Sequence, residues 1–168
     1  MTTPFAATQV IRSETLHLAA PPTQVFPLFT PLGEKAWSPE WQPTMLAPMS
    51  GEPAAGTVFI TEHDQQPIGV WVMTLYAPER GVIGYVRVTP GITAGMIQVE
   101  CEPDQGETTR ATVTYTLTAL SEAGNAAMAD LTEAHYRHWM ASWETAINHY
   151  LAHGRPLAHT HPPTPSVG

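Results

Sequence analysis

The sequence predicts an α+β fold in which a curved antiparallel β-sheet is wrapped around one long C-terminal α-helix. Three observations predict it. All 17 prolines lie outside the span from Asp104 to Arg155. Proline is excluded from helix interiors and central strands, so the most regular structure belongs in that span. Within it the hydrophobic period changes from two to that of a helix. Upstream, strand-like runs follow one another at intervals too short for crossover helices, which leaves antiparallel hairpins.

The elements follow in chain order. Gln9–Leu18 alternates through Val10, Arg12, Glu14 and Leu16 or their neighbours and forms a first strand. In Pro21-Pro-Thr-Gln-Val-Phe-Pro-Leu-Phe29 the early prolines suit a helix N-terminus, with Val25, Phe26 and Phe29 as a short apolar face. Pro27 is compatible with that helix only in its first turn. Thr57–His63, Ile68–Ala77, Gly81–Thr89 and Thr93–Glu102 are rich in Val, Ile, Thr and aromatic residues. The turn signals between them are Asp64-Gln-Gln-Pro67, Pro78-Glu-Arg-Gly81 and Pro90-Gly91. From Thr108 to Leu120, Ala111, Val113, Tyr115, Leu117 and Ala119 alternate with Arg110 and a run of threonines, the mark of a half-buried strand. The total is five or six strands. Ser121–Asn125 reads as a loop, and residues 126–131 as an extra turn or part of it. Then Tyr136, Trp139, Met140, Trp143, Ile147 and Tyr150 share one broad helical stripe, extended by Met128. Thr132 caps this helix, Glu133 favours its first turn, and Gly154 with Pro156 ends it. A long amphipathic helix after a curved sheet has its place across the concave face.

Composition sets the limits. The 168 residues carry 15 acidic and 7 basic side chains, a net charge of -8, and only 13% charged residues, about half the usual share. Lys35 and six scattered arginines leave no nucleic-acid footprint. No apolar run approaches the ~18 residues of a transmembrane helix, so no stable membrane insertion is expected. The N-terminus lacks a basic-then-apolar leader and Cys101 is the only cysteine, which together suggest a reducing, cytoplasmic setting. One domain is expected over residues 8–153, after a flexible N-terminus (1–7) and before a disordered Pro- and His-containing tail (154–168).

Four segments resemble the START-like or Bet v 1-like (SRPBCC) superfamily, and more narrowly its polyketide cyclase/dehydrase-like proteins. They are Ala20-Pro-Pro-Thr-Gln-Val-Phe-Pro-Leu-Phe29, Gly33-Glu-Lys-Ala-Trp-Ser-Pro-Glu-Trp41, Gly56-Thr-Val-Phe59 and Trp143-Glu-Thr-Ala-Ile-Asn-His-Tyr-Leu151. The resemblance spans residues 8–153. It implies a helix-grip fold with two short helices after the first strand, and an apolar cavity between the long helix and the sheet. Members include lipid and hormone carriers, cyclases, dehydratases and co-chaperone-like domains, so fold alone does not select an activity.

Five tryptophans and seven methionines suit the wall of such a cavity, since Trp and Tyr join an apolar body to a hydrogen-bond donor. The candidate ligand-binding residues are Trp37, Trp41, Phe59, Trp71, Met73, Tyr85, Val99, Tyr115, Tyr136, Met140 and Trp143; each serves equally well as plain core. Trp139, if exposed, would be a dimer contact. A cyclase or dehydratase needs a buried polarising donor and a positioned base. Tyr85, Arg87 and Glu100 are the candidates; alternation puts Arg87 on the same face as Tyr85, so it acts only if Tyr85 faces inward, and the alternative is an outer-face arginine paired with a strand glutamate.

His135/His138 and His149/His153 have metal-compatible spacings. The pairs lie about 16 Å apart along a helix and cannot form one site. Solvated histidines are expected there, with no metal and no cofactor. Cys101 shares parity with Ile97 and Val99 and reads as a small buried hydrophobe. No nucleophile elbow, phosphate loop or dinucleotide fingerprint is present. The sequence therefore favours binding of a small hydrophobic lipid, polyketide or other aromatic ligand by a monomer or homodimer. A cyclase/dehydratase-like enzyme and a co-chaperone-like interaction domain are the alternatives.

Overall fold

A computed structural model describes residues 3–63 and 67–158. Seven strands form one antiparallel sheet: β1 (Gln9–Leu18), β2 (Pro43–Ala47), β3 (Val58–Thr61), β4 (Gly69–Ala77), β5 (Val82–Thr89), β6 (Thr93–Pro103) and β7 (Thr109–Ala119). Their spatial order is β1-β7-β6-β5-β4-β3-β2. After β1 the chain crosses to the far edge, and β2 to β7 meander back until β7 pairs with β1.

The crossing segment is a short helix α1 (Pro22–Val25), then 3-10 turns over Phe26–Phe29 and Gly33–Ala36. The apolar run around Phe26 is thus two pieces, not one helix. Pro27 has no N–H to continue α1, so it sits in the first turn of the next piece. Strand β2 goes beyond the five or six strands expected. Its prolines, Pro43 and the following Pro48, hide it in the sequence; they are tolerated because β2 is an edge. Residues 122–130 form a helix, α2 (Glu122–Asp130), where a loop over 121–125 and at most an extra turn after it were expected. Ser121 Oγ caps it by accepting from Gly124 N at 3.2 Å, and Asn125 holds the N-terminal segment through Thr8 N and Ala6 O. These long-range bonds offset the low helix propensity of Gly124 and Asn125. Gly124 also lies so close to the β5–β6 turn that a Cβ would stand 2.0 Å from Ile92 O.

The long helix α3 (Glu133–His153) has the expected ends: Thr132 Oγ1 accepts from His135 N, and Gly154 adopts φ 69°. Tyr136, Trp139, Met140, Trp143, Ala146 and Ile147 form its buried face. Its polar flank grips the edge strand β1. Glu144 accepts from His17 N at 2.7 Å, while Asn148 accepts from Ala19 N and donates to His17 O. Those bonds occupy backbone groups that an edge strand leaves open.

The concave face of the sheet and the buried face of α3 enclose a single core. Each large apolar side chain fully removed from water there contributes on the order of 1.5–3 kcal/mol. A bulge between Met73 and Leu75 on β4 turns Tyr76 inward, against Phe26, where plain alternation would send Leu75. On the convex side, half-buried Val70, Val72, Val86 and Val88 and exposed Met96 are register neighbours. The expected turn at Asp64–Gln66 and the tail histidines His159 and His161 lie outside the described residues. No helix among the described residues is long and apolar enough to cross a membrane.

Candidate functional site

The interior of the grip is lined by two arms of aromatic rings. On the sheet side Phe59 stacks on Trp71 at 5.5 Å, and Trp41 and Tyr85 each meet that pair edge-on. On the helix side Trp37, Trp143, Trp139 and Tyr115 follow one another at centroid distances of 5.0–5.5 Å, with Tyr136 touching Tyr115 and Trp139. Edge-to-face contacts of this kind add about 0.5–1.5 kcal/mol each beyond burial and hold the rings in fixed orientations.

The proline-rich crossing segment is pinned to this interior by its own tryptophans. Trp37 Nε1 donates to Leu28 O at 2.9 Å and Trp41 Nε1 to Pro31 O at 2.8 Å. Thr30 Oγ1 donates to Pro27 O and accepts from Gly33 N, closing the turn tightly. No side chain fits at Gly33, where a Cβ would stand 1.8 Å from Pro27 O. The next residue, Glu34, is the polar group that alternation and spacing do not reveal. As a residue it is partly exposed. Its carboxyl is nonetheless set deep enough that burial pushes its pKa up to about 8. It lies within electrostatic reach of the Tyr85 and Tyr115 hydroxyls.

Tyr85, Ile97 and Tyr115 occupy one register row on the adjacent strands β5, β6 and β7. The two tyrosines are therefore two strand spacings, about 10 Å, apart at the backbone. Tyr85 donates to Phe29 O and Tyr136 to Val113 O, each at 2.7 Å. Burial raises the pKa of all three phenols, so they remain donors throughout the physiological range. Among the described residues, nothing hydrogen-bonds the Tyr115 hydroxyl.

Arg87 is on the inward face, 7% exposed, as its shared parity with Tyr85 allows. Its guanidinium lies 5.1 Å from the Trp71 ring centroid. Gly69 on β4 places no side chain beside it; a Cβ there would stand 3.9 Å from Arg87 Cδ. Trp71 is fixed in turn by Nε1 donating to Thr61 Oγ1 at 3.0 Å. Burial lowers the Arg87 pKa, opposed by Tyr115; a guanidinium nonetheless keeps its proton at neutral pH.

Of the other residues singled out in the sequence, Met73, Val99 and Met140 are buried and Trp41 is half-buried. Glu100 is not part of the site: it points to the exposed face and accepts from Gln98 Nε2, because Val99 and Cys101 take the inward parity. Trp139 is buried among rings, so it offers no dimer contact. His135, His138 and His153 are exposed, and His149 stacks near His153 at 4.4 Å. Among the described residues no three His, Cys, Asp or Glu side chains converge on a point that suits a metal ion.

A family model described as polyketide cyclase / dehydrase and lipid transport matches residues 9–147. A search of curated proteins returned no match. Among solved structures, norcoclaurine synthase from Thalictrum flavum is similar with a TM-score of 0.63 and 11% identity, covering 88% of each chain. Major latex-like protein 151 from Panax ginseng gives 0.60 at 14% identity, covering 86% of this chain and 97% of the other. An uncharacterised protein from Rhizobium leguminosarum gives 0.52 at 19%, covering 68% and 80%. At these identities the likeness is one of fold.

Proposed function

The chain belongs to the polyketide cyclase/dehydrase and lipid transport family of the START-like, Bet v 1-like (SRPBCC) superfamily, and from that premise we propose that it binds a small, largely apolar aromatic or lipid molecule between α3 and the sheet. The observation that carries this reading is the double arm of oriented rings on the two sides of the grip, with Arg87, Tyr85 and Tyr115 as polar groups on the same inward face. Flat apolar walls supply affinity, and a small number of placed polar groups fix orientation. Trp37, Trp41, Phe59, Trp71, Tyr136 and Trp143 are the residues proposed to touch the ligand, with Met73, Val99 and Met140 filling between them.

A cyclase- or dehydratase-like activity is the second reading, supported by the inward Arg87. A cation buried beside an apolar site suits stabilisation of an oxyanion. The co-chaperone-like alternative rests only on the uncharged convex strip around Val86 and Met96, a feature that names no partner.

The binding reading is tested by native mass spectrometry of protein purified from its host, followed by titration of tryptophan fluorescence with lipids, flavonoids and polyketides. A co-purified apolar ligand, or saturable quenching by one class, is expected. A chain that is empty on isolation and unresponsive to the whole panel refutes it. The enzymatic reading predicts that Arg87→Ala abolishes turnover while far-UV circular dichroism is unchanged.

A further inference from the structure

The convex face of the sheet carries an apolar field that the grip does not use. Across six adjacent strands one register row reads Ile11, Thr116, Met96, Val86, Val72 and Val58. The next row sets Ala94, Val88, Val70 and Ile60 side by side. Neither row holds a charged residue, in a chain whose net charge is -8. Met96 is 57% and Ile11 60% exposed, while the valines of both rows are half-buried. Polar side chains beside them are already bonded to one another. Gln9 Nε2 donates to Thr118 Oγ1 at 2.9 Å, Ser13 and Thr114 share a bond of 2.8 Å, and Gln98 Nε2 donates to Glu100 at 2.6 Å. Covering this face therefore leaves those groups satisfied, which removes the usual cost of burying them. The charged side chains of β6 and β7, Glu100, Glu102 and Arg110, gather at one end of the face, where Arg110 pairs with Glu102 at 3.2 Å.

We propose that this face is where two copies of the chain meet, sheet against sheet, in an isologous dimer. The face offers a foreign client no charged handle, and charge selects the second copy. A basic partner is drawn to the acidic remainder of the surface. Two copies, each of net charge -8, repel wherever acidic surfaces meet. An uncharged face lets them approach within a Debye length, about 8 Å at physiological salt. Area sets the strength. Six strands at about 4.8 Å and three rows at about 7 Å give a field of roughly 600 Å² on each copy. The pair then buries about 1,200 Å² at most, the lower bound for a stable dimer. Two convex sheets meet only over the middle of that field, around Met96 and Val86. The dimer is accordingly weak, with a Kd on the order of 10–100 µM. Both concave faces point away from the interface, so each copy keeps its own grip.

Sedimentation velocity of the full chain from about 5 to about 500 µM tests this, a range that brackets the expected Kd. The mean sedimentation coefficient should climb from that of a monomer towards that of a dimer. Raising NaCl to about 1 M shortens the Debye length to about 3 Å, so association should tighten at least about twofold. Met96→Glu replaces an exposed side chain, which spares the fold, and should weaken association about tenfold or more. Met49→Glu adds the same charge on the loop after β2, where Met49 is 84% exposed, and should leave association within about threefold of wild type. A chain still monomeric at about 500 µM overturns the proposal, in favour of a lipid surface if it floats with phosphatidylcholine vesicles. A dimer that Met96→Glu forms as readily as Met49→Glu overturns it as well, because another surface then joins the copies. So does a dimer that salt disperses, because ion pairs then hold it.

Discussion

Replacing Glu34 by Gln should reverse the order of stability between the variant and the wild type as pH rises. In the unfolded chain Glu34 ionises near 4.5, whereas in the fold it holds its proton to about 8. Between those values the folded state binds one proton more than the unfolded state. Stability of the wild type therefore falls with rising pH across that window and is level above it. The span is about 3.5 pH at about 1.4 kcal/mol for each, a ceiling of about 5 kcal/mol. Glu34 keeps part of its surface in water, and screening by that water reduces this to about 2–3 kcal/mol. Gln carries no proton to lose, and subtracting one protein from the other cancels every other titrating group. Urea denaturation followed by tryptophan fluorescence at pH 5 and pH 8.5 reads the difference. The two proteins should match at pH 5, and Glu34→Gln should be the more stable by about 2–3 kcal/mol at pH 8.5. With urea slopes of about 1–3 kcal/mol/M the midpoints then separate by about 1 M or more. A gap that is the same at both pH values refutes the reasoning, since Glu34 would then be ionised in the fold as freely as in the open chain.

Three further outcomes follow from the packing. Tyr136→Phe removes the hydroxyl that donates to Val113 O at 2.7 Å and should cost about 0.5–1.5 kcal/mol in thermal melts, with an unchanged circular dichroism spectrum; no loss would show that the bond is not stabilising. Gly124→Ala should destabilise by roughly 1–3 kcal/mol even though Ala is the better helix former, because its Cβ would stand 2.0 Å from Ile92 O; a stabilised variant would contradict that contact. Burial pushes the Cys101 thiol up to about 12, so a colourless folded protein in Ellman's reagent at pH 7.5, turning yellow on addition of urea, is expected; prompt labelling without urea would place the thiol at the surface.

The regular parts of the fold were legible because they obey local rules. The strict alternation of β7 and the stripe of α3 follow from burying one face of a strand and one face of a helix, and both elements end within a residue or two of where the pattern ends. Parity also sent Tyr85, Tyr115 and Trp71 inward and Glu100 outward. It placed Arg87 on the same face as Tyr85, and Gly69, which puts no Cβ beside the Arg87 side chain, leaves room for it there. Strand β2 and helix α2 were hidden, the first by prolines that only an edge accepts, the second by a glycine and an asparagine whose stabilising bonds come from Ala6 and Thr8, more than a hundred residues away.

Glu34 shows where the sequence stops. It sits on a 3-10 turn of four residues, too short to carry a period, and the only local hint was an acidic residue in a tryptophan-bearing stretch. The sequence by itself determined that this protein is a helix-grip domain with an aromatic interior, because those features are written in spacings of two and of three to four residues. Tertiary structure alone decided that Glu34 joins the polar groups of that interior. Glu34, Tyr85, Arg87 and Tyr115 come from three separate elements, and their meeting depends on sheet register and on the fold of the crossing segment, neither of which any local pattern encodes.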